Sequence, residues 1–268
     1  MYSLISAIRV RIALVKQALQ EPDVLGREKV FIAGIHWNNE KILRDVWVPV
    51  VIQLASQIGP NNVFVSVQES GSWDDSKGAL RFLDEQLAVL GVPKKIILDN
   101  TTHLDEISQA PGPGWLATPT GQIEMRRIPY LAKLRNLVLQ PLLDMKDRDI
   151  HFDKILFLND VAFNVKDVRT LLSTRGGEYA AACSLDFSKP PEFYDTFALR
   201  DSEGHEKLMQ TWPYFRSRES RRALMYGESV PVESCWNGLE PSGADEPSGD
   251  ECFAILRKPA VEISSYFR

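Results

Sequence analysis

From residue 29 onward, short β-rich runs alternate with longer helical patterns, and this rhythm leaves the chain few architectures to choose from. Residues 29–36 (KVFIAGIH) are continuously apolar and partly β-branched, as in a strand covered on both faces. A helical pattern over 40–58 follows, closed by Gly59-Pro60. The spacing then predicts strands over 62–68, 94–98, 154–158 and 179–185, with helices over 76–90, 123–145 and 165–173 between them. Consecutive βαβ units require right-handed crossovers. The expected fold is therefore α/β, a Rossmann-type, mostly parallel sheet flanked by helices, in a single domain.

Charge narrows the functions open to such a fold. The 31 Lys+Arg against 36 Asp+Glu leave a net charge of −5, which argues against a nucleic-acid binder that relies on overall positive charge. Three cysteines, Cys183, Cys235 and Cys252, allow at most one disulfide and no zinc ribbon. No run reaches the roughly 18 uncharged apolar residues of a membrane span. Leu4, Ile5, Ile8, Ile12, Val15 and Leu19 recur at helical spacing among Arg9, Arg11 and Lys16, so residues 1–28 are expected to hold an amphipathic helix. That helix packs on its own domain or lies on a membrane, and no signal-peptide cleavage site follows it. Residues 29–239 form the expected domain. Residues 110–121 read as an ordered loop or lid, and 240–268 as a flexible linker and short tail.

Ligands of such sheets bind at the carboxyl ends of the strands, and polar residues gather there. Asn159-Asp160 ends an apolar strand; its carboxylate can hold a hard divalent cation or cap the following turn. Glu69-Ser-Gly-Ser-Trp-Asp-Asp75 opens a helix, with Asp74 or Asp75 as N-cap, or with Ser70, Ser72 and the Gly71 backbone on a ligand. Arg135 and Asn136 are either solvated helix residues or contacts to a diphosphate or base. Asp186 and the run Tyr194–Asp201 supply acids and an Arg for an acceptor hydroxyl or a metal. Trp236, beside Asn237 and Gly238, suits stacking on a sugar face or a place in the core.

Together these segments resemble the fungal capsule-associated α-1,3-mannosyltransferases of the cryptococcal type. The resemblance rests on Ile35-His-Trp-Asn-Asn-Glu40 with Ile42-Leu43, Glu69-Ser-Gly-Ser-Trp-Asp-Asp75, Leu131-Ala-Lys-Leu-Arg-Asn136, Leu158-Asn-Asp-Val-Ala-Phe163, Tyr194-Asp-Thr-Phe-Ala-Leu-Arg-Asp201 and Ser234-Cys-Trp-Asn-Gly238, in that order. It implies a GT-A-like, metal-dependent hexosyltransferase that moves mannose from GDP-mannose to an α-mannoside or polysaccharide acceptor, with α-1,3 linkage and retention. It implies Mn²⁺ or Mg²⁺ at Asn159 and Asp160. Donor contacts are then expected from Asn38, Asn39, Glu40, Glu69, Ser70, Asp74, Arg135 and Asn136, and acceptor contacts from Arg200, Asp201, Trp236 and Asn237. Retention requires a carboxylate nucleophile or a same-face displacement, and Asp186 and Asp195 are the candidate carboxylates.

The resembled family is membrane-anchored in the Golgi lumen, whereas residues 3–19 here are a charged helix. Gly249-Asp-Glu-Cys-Phe253 also arrives early, after a low-complexity stretch. The expectation is a truncated chain, or one anchored by a partner or by its amphipathic face. A catalytically silent paralogue that binds a glycan or a partner glycosyltransferase is the alternative. The sequon Asn100-Thr-Thr102 agrees with a secretory location.

Overall fold

The apolar run at 29–36 folds as strand β1 (Val30–His36), in which only Ile35 is partly exposed. The computed structural model describes residues 28–101, 127–189, 192–194, 197–236, 239–243 and 252–256, with 105, 108, 110, 112, 115–117, 121 and 123–125. The helix expected over 3–19 lies outside the described residues. Two compact units are present, one of residues 31–151 and the other joining residues up to Val30 with those from Phe152 onward.

In the first unit, β1 leads into helix α1, which is α-helical over Glu40–Ile42 and Val48–Ile58. Between them Leu43–Trp47 is π-helical, with the Val48 N–H bonded to the Leu43 carbonyl. Pro49 accounts for the interruption: it has no N–H for Asp45, and its ring crowds that carbonyl, which a widened turn relieves. Val48, Val51, Leu54, Ala55 and Ile58 are buried at helical spacing. Strand β2 (Val63–Ser70) lies between β1 and β3 (Lys94–Asp99) and runs parallel to β3, from Val65 opposite Lys94 to Ser70 opposite Asp99. Helix α2 (Ser76–Val89) connects them and buries Ala79, Leu80, Leu83 and Leu87.

The helix expected over 123–145 begins later. Ile123–Met125 is strand β5, paired antiparallel with β4 (Trp115–Ala117), and helix α3 covers Arg127–Lys146. Pro129 suits a first helical turn, where its missing N–H has no partner to lose. Helix α3 packs on β2, where the buried Ser66 hydroxyl donates to the Val138 carbonyl at 2.6 Å.

The second unit contains β6 (Lys154–Leu158), helix α4 (Val165–Leu172) and β7 (Ala181–Leu185), close to expectation. A hairpin of β8 (Phe187–Lys189) and β9 (Glu192–Phe193) follows, then β10 (Arg200–Asp201), helix α5 (Arg218–Tyr226) and β11 (Val230–Ser234). Strands β12 (Leu239–Gly243) and β13 (Cys252–Leu256) occupy positions expected to be linker and tail. Strand order is β10-β11-β13-β7-β12-β6. Strands β13 and β7 are parallel, while β12 runs antiparallel to β6, with Leu239 opposite Leu158 and Gly243 opposite Lys154. Pro241 and the Gly/Ser neighbours lower strand propensity, but the edge of the apolar β6 offers backbone partners that local composition does not reveal.

The core of this unit gathers Leu185, Phe193, Leu199, Phe215, Leu224, Val230 and Val232. A disulfide joins Cys183 of β7 to Cys235, just past β11. Among the described residues no helix is long and apolar enough to cross a membrane.

Candidate functional site

In the first unit the loops after β1 and β2 interlock. The backbone N–H of Asn38 donates to Ser72 Oγ at 2.9 Å, and Asn38 Oδ1 accepts the Trp73 N–H at 2.8 Å. The Asn39 N–H donates to Ser76 Oγ at 2.9 Å, and the Glu40 N–H to Asp74 Oδ2 at 2.9 Å. Glu40 Oε2 accepts the Asp75 N–H at 3.2 Å, and its Oε1 pairs with Arg44 at 3.0 Å; Arg44 also bonds Asp75. Asn38 holds φ 51°, a left-handed conformation that Asn tolerates better than most residues.

Asp74 and Asp75 divide the work of starting α2. Asp75 is the N-cap, accepting the Gly78 N–H at 3.1 Å. A Cβ at Gly78 would collide with that carboxylate, so glycine makes room for the cap. Asp74 Oδ1 accepts from the Ser76 N–H and Oγ at 3.1 and 2.6 Å. Burial pushes the Asp74 carboxyl up, but bonds from Ser76 and the Glu40 amide outweigh it and lower the pKa.

Glu69 is fully buried; Oε1 accepts the Ser72 N–H, and Oε2 lies 3.3 Å from Lys77 Nζ. Ser70 is buried at the last step of β2. The structure thus brings together Asn38, Asn39, Glu40, Glu69, Ser70 and Asp74. Arg135 is half-buried on α3 beside the Leu134/Val138 stripe, and Asn136 is exposed.

In the second unit Asn159 and Asp160 follow the last residue of β6, with Asp160 exposed. The loop is secured at its far end by a capping box: Asn164 Oδ1 accepts the Asp167 N–H at 3.1 Å, and Asp167 Oδ2 the Asn164 N–H at 2.9 Å. Trp236 packs against Phe157 with ring centroids 5.5 Å apart, so it stands beside the β6 end. The Cys183–Cys235 disulfide fixes the residue immediately before it. Sequence spacing allowed a disulfide without saying which pair forms it. Asp186 is buried after β7, and its Oδ1 accepts from Ser184 Oγ at 2.8 Å. Asp195 and Asn237 lie outside the described residues.

Arg200 and Asp201 serve the local loop. Arg200 donates to the Phe197 and Leu199 carbonyls at 3.0 and 2.9 Å and pairs with Glu206 at 3.3 Å. Asp201 is 1% exposed, and its oxygens accept the N–H groups of Glu203, His205, Arg216 and Ser217 at 2.6–3.1 Å. Burial raises its pKa, but bonds from Ser217, His205 and Glu203 reverse the shift and lower it. Beneath it Ser202, Ser217 and Ser220 form a hydroxyl cluster, with Ser202 Oγ and Ser217 Oγ 2.6 Å apart.

Parallel strands crossed over by helices, with acids and amides at their carboxyl ends, define an α/β protein of the kind that binds ligands at strand ends. Residues 29–246 match the model of the family described as Cryptococcal mannosyltransferase 1, and the chain belongs to that family. No curated protein matches it. Among solved structures it is similar to S. aureus TarS 1-349, at 11% identity over 86% of this chain and 58% of that one, with a TM-score of 0.41. The same protein in complex with UDP gives 14% identity, 64% and 40% coverage and a TM-score of 0.36. The mannosyltransferase PcManGT from Pyrobaculum calidifontis in complex with GDP-Man and Mn²⁺ gives 14% identity, 68% and 43% coverage and a TM-score of 0.34. The chain spans less than two thirds of the length of each of these.

Proposed function

We propose that this chain is a GT-A-like glycosyltransferase that moves mannose from GDP-mannose to an α-mannoside or polysaccharide acceptor, in α-1,3 linkage and with retention. The observation that carries this reading is the exposed Asp160, beside Asn159 at the carboxyl end of β6, in a member of a mannosyltransferase family. Both side chains offer hard oxygen donors, which suit Mn²⁺ or Mg²⁺. Among the described residues no three His, Cys, Asp or Glu side chains form a metal cage. An ion completed by substrate phosphates takes only one or two protein carboxylates, so the pair fits. When bound, the cation would neutralise charge developing on the leaving diphosphate.

The remaining roles belong to the chain's own side chains. Asp186, whose Oδ1 accepts from Ser184 Oγ, is assigned the role of candidate nucleophilic carboxylate, and Trp236, beside Phe157, that of a ring for an acceptor sugar. Asn39, Glu40 and Asp74 keep the loops after β1 and β2 in one arrangement. A Golgi-lumen, membrane-associated location belongs to the same reading.

Titration of GDP in the presence of Mn²⁺ tests the donor site. Wild type is expected to bind, and Asp160→Ala to lose at least tenfold in affinity. Unchanged binding by Asp160→Ala would remove the metal role. The alternative, a silent paralogue that binds a glycan or a partner transferase, draws support from the polar groups the two loops spend on each other. Release of GDP from GDP-mannose in the presence of an α-mannoside would reject it.

A further inference from the structure

Two indoles stand out from the interlocked loops of residues 37–45 and 69–77. Trp37 is 45% exposed and Trp73 is 74% exposed, and their rings meet edge to face with centroids 5.4 Å apart and an interplanar angle of 69°. Burying an indole is strongly favourable, so a fold that keeps two of them side by side in water presents an apolar surface that asks for a partner. Their backbone is held from both sides. The Trp37 N–H donates to Asn39 Oδ1 at 3.0 Å, and the Trp73 N–H to Asn38 Oδ1 at 2.8 Å. The corner they form is thus ordered before any ligand arrives, which reduces the entropy lost on binding.

We infer that the Trp37–Trp73 corner is a stacking platform for a pyranose ring of a neutral oligosaccharide, a subsite for the acceptor glycan. Charge selects this occupant. The two loops carry five acids, Glu40, Asp45, Glu69, Asp74 and Asp75, against three bases, Lys41, Arg44 and Lys77, a net of −2. Each base is paired: Lys41 with Asp45, Arg44 with Glu40 and Asp75, Lys77 with Glu69. An anion that brings no cation of its own meets an acidic surround in these loops, whereas an uncharged sugar does not. A pyranose has an apolar C–H face that covers one indole, while its equatorial hydroxyls stay in water or reach the carboxylates at the rim. The inner polar groups of both loops are already satisfied by each other, so the platform binds through its rings.

This subsite rests on the mannosyltransferase reading for the identity of its sugar. Calorimetric titration of the whole chain with α-1,3-linked mannotriose, and separately with GDP plus Mn²⁺, tests it. Wild type is expected to bind mannotriose; Trp73→Ala and Trp37→Ala each weaken that binding at least tenfold, Trp73→Phe keeps it within about threefold, and GDP binding stays unchanged in all three. Mannotriose binding that is absent in wild type, or indifferent to Trp73→Ala, overturns the platform. A loss of GDP binding in Trp73→Ala matching the loss of mannotriose binding overturns it too, by assigning the corner to the nucleotide. If wild type binds no GDP while mannotriose binding still depends on Trp73, the donor reading fails and the platform stands.

Discussion

Asp74 and Glu40 lie 34 residues apart, yet Asp74 Oδ2 accepts the Glu40 backbone N–H at 2.9 Å and ties the start of α1 to the start of α2. The bond satisfies an N–H in the first turn of α1 that has no partner within the helix. It also places an ionised carboxylate at the positive end of that helix. One side chain thereby joins the two strand ends that carry most of the expected donor residues.

Asp74→Ala removes the acceptor for the Glu40 N–H, the Ser76 N–H and the Ser76 hydroxyl. A loss of about 2 kcal/mol in unfolding free energy is expected, from the cost of stranding partly buried donors. Asp74→Asn, which keeps one carbonyl oxygen, should lose less. Urea unfolding of both variants measures the difference.

Asp201 predicts an acid limb. Its pKa is lowered in the folded chain, so the stabilisation is complete above the ordinary carboxylate value of about 4 and drains away as pH falls through the lower native value. Asp74 shifts in the same direction and adds to the same limb. Asp201→Asn should flatten stability against pH below about 4 and cost about 2–3 kcal/mol at pH 7, because an amide NH₂ would face N–H donors. Thermal melts from pH 7 down to pH 2 follow both effects.

Gly78→Ala should defy the usual rule for exposed helices. Alanine is worth about 1 kcal/mol over glycine in a helix, but here a Cβ displaces the Asp75 cap, itself worth about 1 kcal/mol. The single substitution is expected to be near neutral. In an Asp75→Ala background it should stabilise by about 1 kcal/mol, and a double-mutant cycle would show the coupling.

The Cys183–Cys235 disulfide closes a loop of 52 residues. In the chain-entropy account, a loop of that length stabilises the fold by about 4 kcal/mol. Cys183→Ala with Cys235→Ala should lower stability by about 2–4 kcal/mol, and dithiothreitol should destabilise wild type but not the double variant. Guanidinium unfolding with and without reductant separates the two.

Between residues 29 and 185 the long elements were legible because each carries its own period, whereas the three-residue strands β4 and β5, in residues expected to be loop and helix, are too short to carry one. Leu80, Leu83 and Leu87 mark the buried side of α2, and the continuous run in β1 has no polar alternation to place it at a surface. Legibility fades where elements are short or their partners distant. Strand β12 contains Pro241 and Gly243 and exists through its pairing with β6, more than 80 positions earlier in the chain. Helix α5 (RESRRALMY) reads as a charged run. Its signals were the Ser217 N-cap and the left-handed Gly227 at its end, flanking a narrow buried stripe of Ser220, Ala223 and Leu224.

Among the candidate site residues, sequence placed Asn38, Asp74 and Asp160 at strand ends, because the change from apolar run to polar loop marks those ends. It left open whether Asp74 or Asp75 caps α2, and the structure assigns the cap to Asp75 and the cross-loop bond to Asp74. It also left Arg200 and Asp201 as acceptor candidates. Apart from the Arg200–Glu206 pair, the hydrogen bonds described for their side chains are to the backbone of residues 197–217, which no spacing rule would have paired with them.

The order of the longer strands and helices as far as residue 185, the acidic balance and the clustering of acids and amides at strand ends belong to the sequence by itself, since period, charge and local polarity are properties of neighbouring residues. Which of those polar groups are spent on the fold, which cysteines join, and that Trp37 and Trp73 share one exposed corner were decided by tertiary structure. The physical reason is distance along the chain: Asp74 and Glu40 are 34 residues apart and the two cysteines 52, Trp37 and Trp73 are likewise distant, and only the packed chain brings such groups within bonding or van der Waals range.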